Sequence, residues 1–363
     1  MLTVEELREY RCSNMLLQWN HIDVLLKSHD VNLMLDVPDC GIAACYPPAL
    51  ASLAVLRAHT EYKKLLLPDV VEDDAFYKRC AAEVNVINLF FPAIKSEPIR
   101  ICFTAWLAFV ITMDDILEIL APLDGEMALK DSVQIILSLP MQRQDSRNSI
   151  DTRIQDLTRT LHRHCTQWLS PKSALSFFNA VSKVFQAHIH EIRFLQGQIP
   201  NDLPRYMEIR ECTIALTPFF EIIKTELLPE ASRFDTSLGK LEATVCRVAG
   251  LQNDLIGLER DIEDGESLNA VLVLMASNNA AQHQEGGELF SQHVRQICDE
   301  HNSSARQAVD LYLQIRRENV ATQSVIETAR HILLMCETHL KWCTTSKRYG
   351  MRIGQGSEIN SVV

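Results

Sequence analysis

The chain has 363 residues, 47% of them apolar, and its 35 Lys+Arg against 47 Asp+Glu leave a formal net charge of −12. That length and apolar share suffice for a full globular core and exclude disorder as the main state. The acidic balance excludes the positive surface that a nucleic-acid partner needs, and 12 Gly with 13 Pro are too few for a turn-rich all-β or collagen-like chain.

In chain order, the opening MLTVEELREYRC lacks a basic stretch followed by an apolar one, so no secretory signal is expected. The string PALASLAVLRAHTEYKKLLL then repeats apolar residues at three and four. The same helical period runs through residues 73–90, 97–121, 150–169, 171–196, 235–262 and 321–349. No run of period-2 alternation stands out. Pro, Gly and polar clusters interrupt the pattern at 37–48, 139–151, 196–204 and 276–288, and none is long enough to be an interdomain linker. Residues 1–363 are therefore expected to form a single all-α domain, a bundle of about ten or more helices, with a mobile tail at 350–363. The longest apolar stretch, Ala105 to Met113, is too short to span a bilayer, so no transmembrane segment is expected. Eleven Cys without a CxxC pair read as free thiols of a reducing compartment, here the cytoplasm.

The central string ICFTAWLAFVITM has almost no polar side, which marks a helix in the middle of a bundle. It runs into DDILE, where Asp114 and Glu118 stand four apart on one face, beside Asp115. Like charges so placed favour a cation, and hard carboxylate oxygens suit Mg²⁺, which completes its shell with water and substrate phosphate. The alternative is a solvated acidic helix end. In NDLIGLERD, Asn253, Gly257 and Asp261 fall on one broad stripe, and Arg260 lies near it. A mid-helix Gly costs about 1 kcal/mol against Ala, so a purely structural helix has little reason to hold one there. A cation beside oxygen ligands suggests an anion between them. Arg210 lies in YMEIRECTIALTP, Arg348–Tyr349 in SKRYG, and Trp342 two turns before that tyrosine. His188 and His190 are two apart and there is no HExxH, so zinc is not expected.

Together these strings resemble the class I terpene synthases in their single-domain microbial form. DDILE resembles that family's aspartate-rich motif, and NDLIGLERD its second metal motif. YMEIRECTIALTP resembles the stretch of the diphosphate-sensing arginine, and SKRYG the C-terminal arginine–tyrosine pair. The resemblance implies an all-α bundle around a pocket open at one end. It implies an enzyme, a carbon–oxygen lyase that ionises a linear prenyl diphosphate and cyclises the cation. Farnesyl diphosphate is the first choice and geranylgeranyl diphosphate the rival. Asp114, with Asp115 or Glu118, would bind Mg²⁺, and Asn253 with Asp261 another, three ions being usual. Arg210, Arg260, Arg348 and Tyr349 would bind diphosphate. Phe103, Phe219, Phe220 and Trp342 would wall the pocket, core packing being the alternative for each. A monomer or homodimer is expected. Two DDxxD motifs mark the chain-elongating enzymes of this fold and only one is present, which disfavours elongation. A non-catalytic helical interaction protein would have no need of the full set of site residues.

The sequence departs from the family pattern in three positions. Gly257 stands where Ser or Thr usually coordinates metal, so a water is expected there. Asp261 replaces Glu. Ala215 stands where a helix-breaking Gly is common, so the break is expected to rest on Pro218, which would free the Ile214 carbonyl.

Overall fold

The computed structural model describes residues 18–40, 52–138, 153–229, 236–279, 287–318 and 322–346. A hairpin comes first, β1 (Gln18–Leu26) and β2 (Val31–Asp39). Twelve helices follow among the described residues: α1 (Leu53–Leu66), α2 (Asp74–Phe90), α3 (Glu97–Leu117), α4 (Pro122–Leu137), α5 (Arg153–Cys165), α6 (Pro171–Leu195), α7 (Leu203–Thr213), α8 (Thr217–Leu227), α9 (Thr236–Asp264), α10 (Ala270–Asn279), α11 (Gly287–Arg317) and α12 (Gln323–Thr345). The mobility expected of 350–363 lies outside the described residues. No described helix is long and apolar enough to cross a membrane.

Local chemistry sets the helix starts. Asp73, Ser170 and Asp202 accept hydrogen bonds from the backbone N–H groups of Phe76, Ser173 and Arg205, at 2.8, 3.1 and 2.9 Å. Each satisfies an orphan donor of a first turn. Proline in the first two positions starts α3, α4, α6, α7 and α8, where its missing N–H costs nothing. The apolar string of α3 is buried on every side from Ile99 to Phe109, as a central helix requires.

The fold is all-α as expected, and the one addition to the bundle among the described residues is this hairpin, which the sequence pattern did not reveal. Val31, Leu33, Leu35 and Val37 are buried and Asn32 and Met34 exposed, which is period-2 alternation. An apolar Met34 in an outward position hides it in the sequence. β1 pairs antiparallel with β2, Ile22 opposite Leu35, and the tight turn uses Asp30 at φ 51°, a conformation Asp tolerates. The buried face of β2 joins a second core cluster with Leu251 and Leu255 of α9 and Ile297 of α11. Polar ties reinforce it. Asn302 accepts from the Asp36 N–H (2.8 Å) and donates to the Met34 carbonyl (2.9 Å), and Ser28 N–H donates to Glu259 of α9 (2.7 Å). The sheet thus packs on α11 and α12 and is tied to α9 through Glu259.

Two histidines are buried within this core. Burial pushes His301 down to about 4. Burial, with the charges of Arg210 and His301, pushes His339 down to about 3. Both start from an ordinary value of 6.5, so between pH 6.5 and 4 the unfolded chain binds more protons. Stability is therefore full above pH 6.5 and falls on acidification. Each histidine is expected to cost about 2 kcal/mol between pH 7 and pH 5. Urea midpoints should drop between these pH values, and His301→Gln should flatten the drop; equal midpoints would contradict the assignment.

Candidate active site

A cavity of about 470 Å³ opens between α3, α6, α7, α9 and α12. Its partly or fully exposed charged lining residues are Asp114, Glu118, Glu191, Arg210, Arg260, Asp261 and Glu266. Its buried lining includes the rings of Phe90, Trp106, Phe219 and His339. The cavity therefore has a charged mouth and an aromatic floor, and its volume lies in the small-molecule range.

Arg210 is held at the mouth by Asp254, a carboxylate only 1% exposed. Arg210 Nε donates to Asp254 Oδ1 at 3.0 Å, and Nη2 lies 2.9 Å from the same oxygen and donates to Asn253 Oδ1 at 2.8 Å. The other oxygen of Asp254 accepts from Tyr206 OH (2.8 Å) and the Ala270 N–H (3.0 Å). Burial pulls the guanidinium down, but Asp254 outweighs it and keeps Arg210 charged. Burial lifts the Asp254 carboxyl, while Arg210, Tyr206 and Ala270 pull it back. Gly250, one turn earlier on α9, makes room for the arginine, since a Cβ there would stand 3.0 Å from Arg210 Cγ.

Across the cavity, His188 Nδ1 meets Glu191 Oε2 at 2.9 Å and Nε2 faces Asp114 at 4.0 Å. Burial lowers the His188 value, but Glu191 and Asp114 outweigh it and the net shift is upward. Glu191 is likewise pushed up by burial, yet His188, Arg210 and the Thr213 hydroxyl leave it below its ordinary value. An acid lies at each side of the mouth: Asp114 on α3, and Asp261 on α9, which burial pushes up to about 6 although the Asn269 amide donates to it at 2.8 Å. The three atoms nearest a Cβ added at Gly257 all belong to the Asp261 carboxylate, the first at 3.4 Å. The missing side chain therefore leaves room that Asp261 borders.

Asp114, Glu118, Arg210, Asn253, Arg260, Asp261, Phe219 and Trp342 all line the one cavity. The other expected residues do not. Asp115 is exposed and outside the lining, a turn of about 100° from Asp114. Phe103 and Phe220 are fully buried core, and Phe103 packs on Phe91 and Phe219 at 4.7 and 5.0 Å. Arg260, although in the lining, is turned along its own helix onto Asp264 at 3.1 Å. Arg348 and Tyr349 lie outside the described residues. Pro218 sits in the first turn of α8, just after the break, and has no N–H to give to the Ile214 carbonyl. Ala215 itself takes the left-handed conformation, φ 61°, and its carbonyl accepts from the buried Trp106 Nε1 at 2.9 Å. That bond offsets a backbone cost of about 1–2 kcal/mol.

Sequence reasoning missed Asp254, Glu191, Tyr206 and Asn269 as site residues, and read His188 only as a negative. Asp254 follows Asn253 directly, yet its burial depends on α7 and α10, which spacing along α9 does not report.

The hard oxygen donors fit a divalent cation. Asp261 is a carboxylate whose ionised form burial penalises, which a cation relieves. Among the described residues no three His, Cys, Asp or Glu side chains cluster as a ready metal cage. Donors split across two walls suit an ion that takes the rest of its shell from substrate oxygens.

Removing Asp254 would leave a guanidinium, a hydroxyl and an N–H without their partner. Asp254→Ala should lose about 3–5 kcal/mol in urea unfolding, and Asp254→Asn less. A loss under about 1 kcal/mol for the alanine variant would contradict the role.

The sequence from residue 105 to 300 matches the family described as terpene synthase family 2, C-terminal metal binding. A (+)-germacrene D synthase of Selaginella moellendorffii is 25% identical over 177 residues, 48% of this chain and 49% of that protein, so the chain spans about half the length of the curated relative it matches. The fold is similar to that of linalool/nerolidol synthase from Streptomyces clavuligerus, with a TM-score of 0.62 at 14% identity over 82% of this chain and 97% of that one. It is equally similar to 2-methylisoborneol synthase from Streptomyces coelicolor A3(2), solved with Mg²⁺ and 2-fluorogeranyl diphosphate: TM-score 0.62, 12% identity, 84% of this chain and 95% of that one. The family match covers more than half of the chain and contains both acidic motifs, and the chain belongs to terpene synthase family 2.

Proposed function

We propose that the chain is a class I terpene cyclase, a carbon–oxygen lyase that ionises a linear prenyl diphosphate and closes rings from the resulting cation. Farnesyl diphosphate is the proposed substrate. The observation that carries this reading is one cavity with acids and arginines at its mouth and aromatic rings on its floor. A germacrene D synthase among the relatives and a structural neighbour solved with a fluorinated geranyl diphosphate support it.

Asp114 and Glu118 on one wall and Asn253 and Asp261 on the other would hold Mg²⁺. When bound, the metal supplies positive charge to the leaving diphosphate. The chain's own residues do the rest. Arg210, kept charged by Asp254, offers N–H donors to the diphosphate as the C–O bond breaks. Trp106, Phe219, Phe90 and Trp342 present faces that attract a cation and exclude the water that would quench it. The chain is proposed to work as one helical unit. Incubation with each prenyl diphosphate and Mg²⁺, with products identified by gas chromatography and mass spectrometry, tests the reading; a C20 hydrocarbon product would move the substrate to geranylgeranyl diphosphate, and no turnover of any would reject catalysis.

Asp114→Ala and Asn253→Ala should each lower turnover by about a hundredfold or more with the fold intact by circular dichroism. Normal turnover at equal metal and protein would remove these residues from the metal site.

Gly257→Ser should keep activity, because a Cβ meets only ordinary contact distances to Asp261 and Ser is the better helix residue. The Mg²⁺ concentration for half-maximal turnover should stay equal or fall, with the hydroxyl in place of a water. Gly257→Leu should fail. A large loss in the serine variant with unchanged metal dependence would show that the space is needed by substrate.

A further inference from the structure

We propose that Gln252 is a positioning residue for product specificity: its buried amide fixes the imidazole of His339, and through it a three-ring surface that the cavity offers to a carbocation. The inference rests on the cyclase reading above.

Phe90, His339 and Trp342 all line the cavity. Each of these rings packs on the other two, with centroids 5.6 Å apart for Phe90 and Trp342, 5.7 Å for His339 and Trp342, and 6.0 Å for Phe90 and His339. The imidazole is the odd member of the three. A phenyl ring is unchanged by a half turn about its Cβ–Cγ bond. The same turn of an imidazole exchanges Nδ1 with Cδ2 and Nε2 with Cε1, so it moves the polar side of the ring. The surface met by a cation is therefore defined only if something holds the ring.

Gln252 holds it. The side chain is fully buried on α9, outside the lining. Its Nε2 donates to the Cys336 carbonyl of α12 at 2.8 Å, and a carbonyl can only accept, so the amide has one orientation. Oε1 then accepts from His339 Nδ1 at 2.9 Å. The other polar neighbour of the ring is the Cys343 thiol, 3.7 Å from Nδ1 and 3.9 Å from Nε2, a weak partner for either. Burial and the charges of Arg210 and His301 keep the ring neutral, so hydrogen sits on Nδ1 alone.

A second route gives the amide the same orientation. The Asp36 N–H donates to Asn302 Oδ1 at 2.8 Å, and Asn302 Nδ2 donates to the Met34 carbonyl at 2.9 Å. Asn302 Oδ1 is thus an acceptor, and His301 Nδ1, 2.9 Å away, carries hydrogen. Burial pushes His301 down to about 4, so the ring is neutral and its Nε2 accepts. Gln252 Nε2 stands 3.2 Å from that nitrogen, as its donor. The backbones of α12 and of β2 independently select one state of one amide.

Gln252 acts on substrate only through neighbours that line the cavity. Two of them do: Asn253, the next residue of α9, and His339, across the interface with α12. The two routes are separable. An effect through Asn253 alters metal binding, and an effect through His339 alters which product forms.

A double-mutant cycle tests the assignment. Gln252→Met keeps the length of the side chain and removes the amide. In the wild-type background it should lower the share of the most abundant product about threefold or more, the scale of coupling between residues in contact. In the His339→Phe background the same change should leave product ratios unchanged, because a phenyl ring needs no amide to define its surface. Calorimetric binding of Mg²⁺ with inorganic diphosphate should be equal in Gln252→Met and wild type. No product shift in the wild-type background, equal shifts in both backgrounds, or weakened binding of Mg²⁺ with diphosphate would each overturn the proposal. Nitrogen-15 NMR of the wild-type chain at pH 7 should show His339 as the Nδ1–H tautomer; an Nε2–H tautomer or an imidazolium overturns the proposal, and this result decides if Gln252→Met fails to fold. The spectrum needs no turnover. A wild-type chain with the Nδ1–H tautomer that consumes no prenyl diphosphate would reject the cyclase reading, and the specificity role with it, while leaving the hydrogen bond in place.

Discussion

A carboxylate that is almost wholly removed from water organises the cavity end of this chain. Asp254 holds the Arg210 guanidinium, the Tyr206 hydroxyl and the Ala270 N–H, and its own backbone carbonyl accepts from Asn269 at 2.7 Å. Asn269 reaches on to Asp261. The arginine of the mouth and an acid of the mouth are therefore aligned by one residue that does not itself need to meet substrate. An ion in such a place is expensive unless every lone pair is used, and here α7, α9 and α10 must all be docked before it is. The site is therefore complete only when all three are docked, since no helix alone satisfies its own charges.

The hairpin extends that constraint outward. It packs on α11 and α12, and its backbone orients an amide on α11, which orients a histidine, which orients Gln252 beside Asn253. A small sheet is thus no ornament on a helical bundle. It supplies backbone groups of fixed polarity, which helices keep for themselves, to a network of side chains that would otherwise have two orientations.

Much of this was legible in the residues. Helical period alone located α6 to within a residue and α9 to within two, because long amphipathic runs carry a strong signal. The stripe on α9 and the end of α3 brought Asp114, Asn253 and Asp261 to one cavity with Arg210. What escaped depends on contacts across elements. Phe103 and Trp106 both belong to an all-round apolar helix, and only its neighbours decide that Trp106 meets the cavity and Phe103 the core. Glu191 and Asp254 read as ordinary helix charges because Thr213 and Arg210, which fix them, lie on another helix. The left-handed Ala215 was hidden for a further reason: a residue type ill suited to that backbone is held there by a tryptophan more than a hundred positions away.

That bond gives Trp106 two jobs at once, and they pull against each other in evolution. The indole is part of the floor over which a cation would fold, and its N–H pins the carbonyl where α7 gives way to α8. Replacing it to reshape a product would also release the bend that joins the Arg210 helix to Phe219. Lineages diversifying their products from this scaffold should therefore leave Trp106 in place and vary Val110, Ile111 and Leu216, which line the same space and donate no side-chain hydrogen bond. New ring skeletons would then arise around a strut that stays constant.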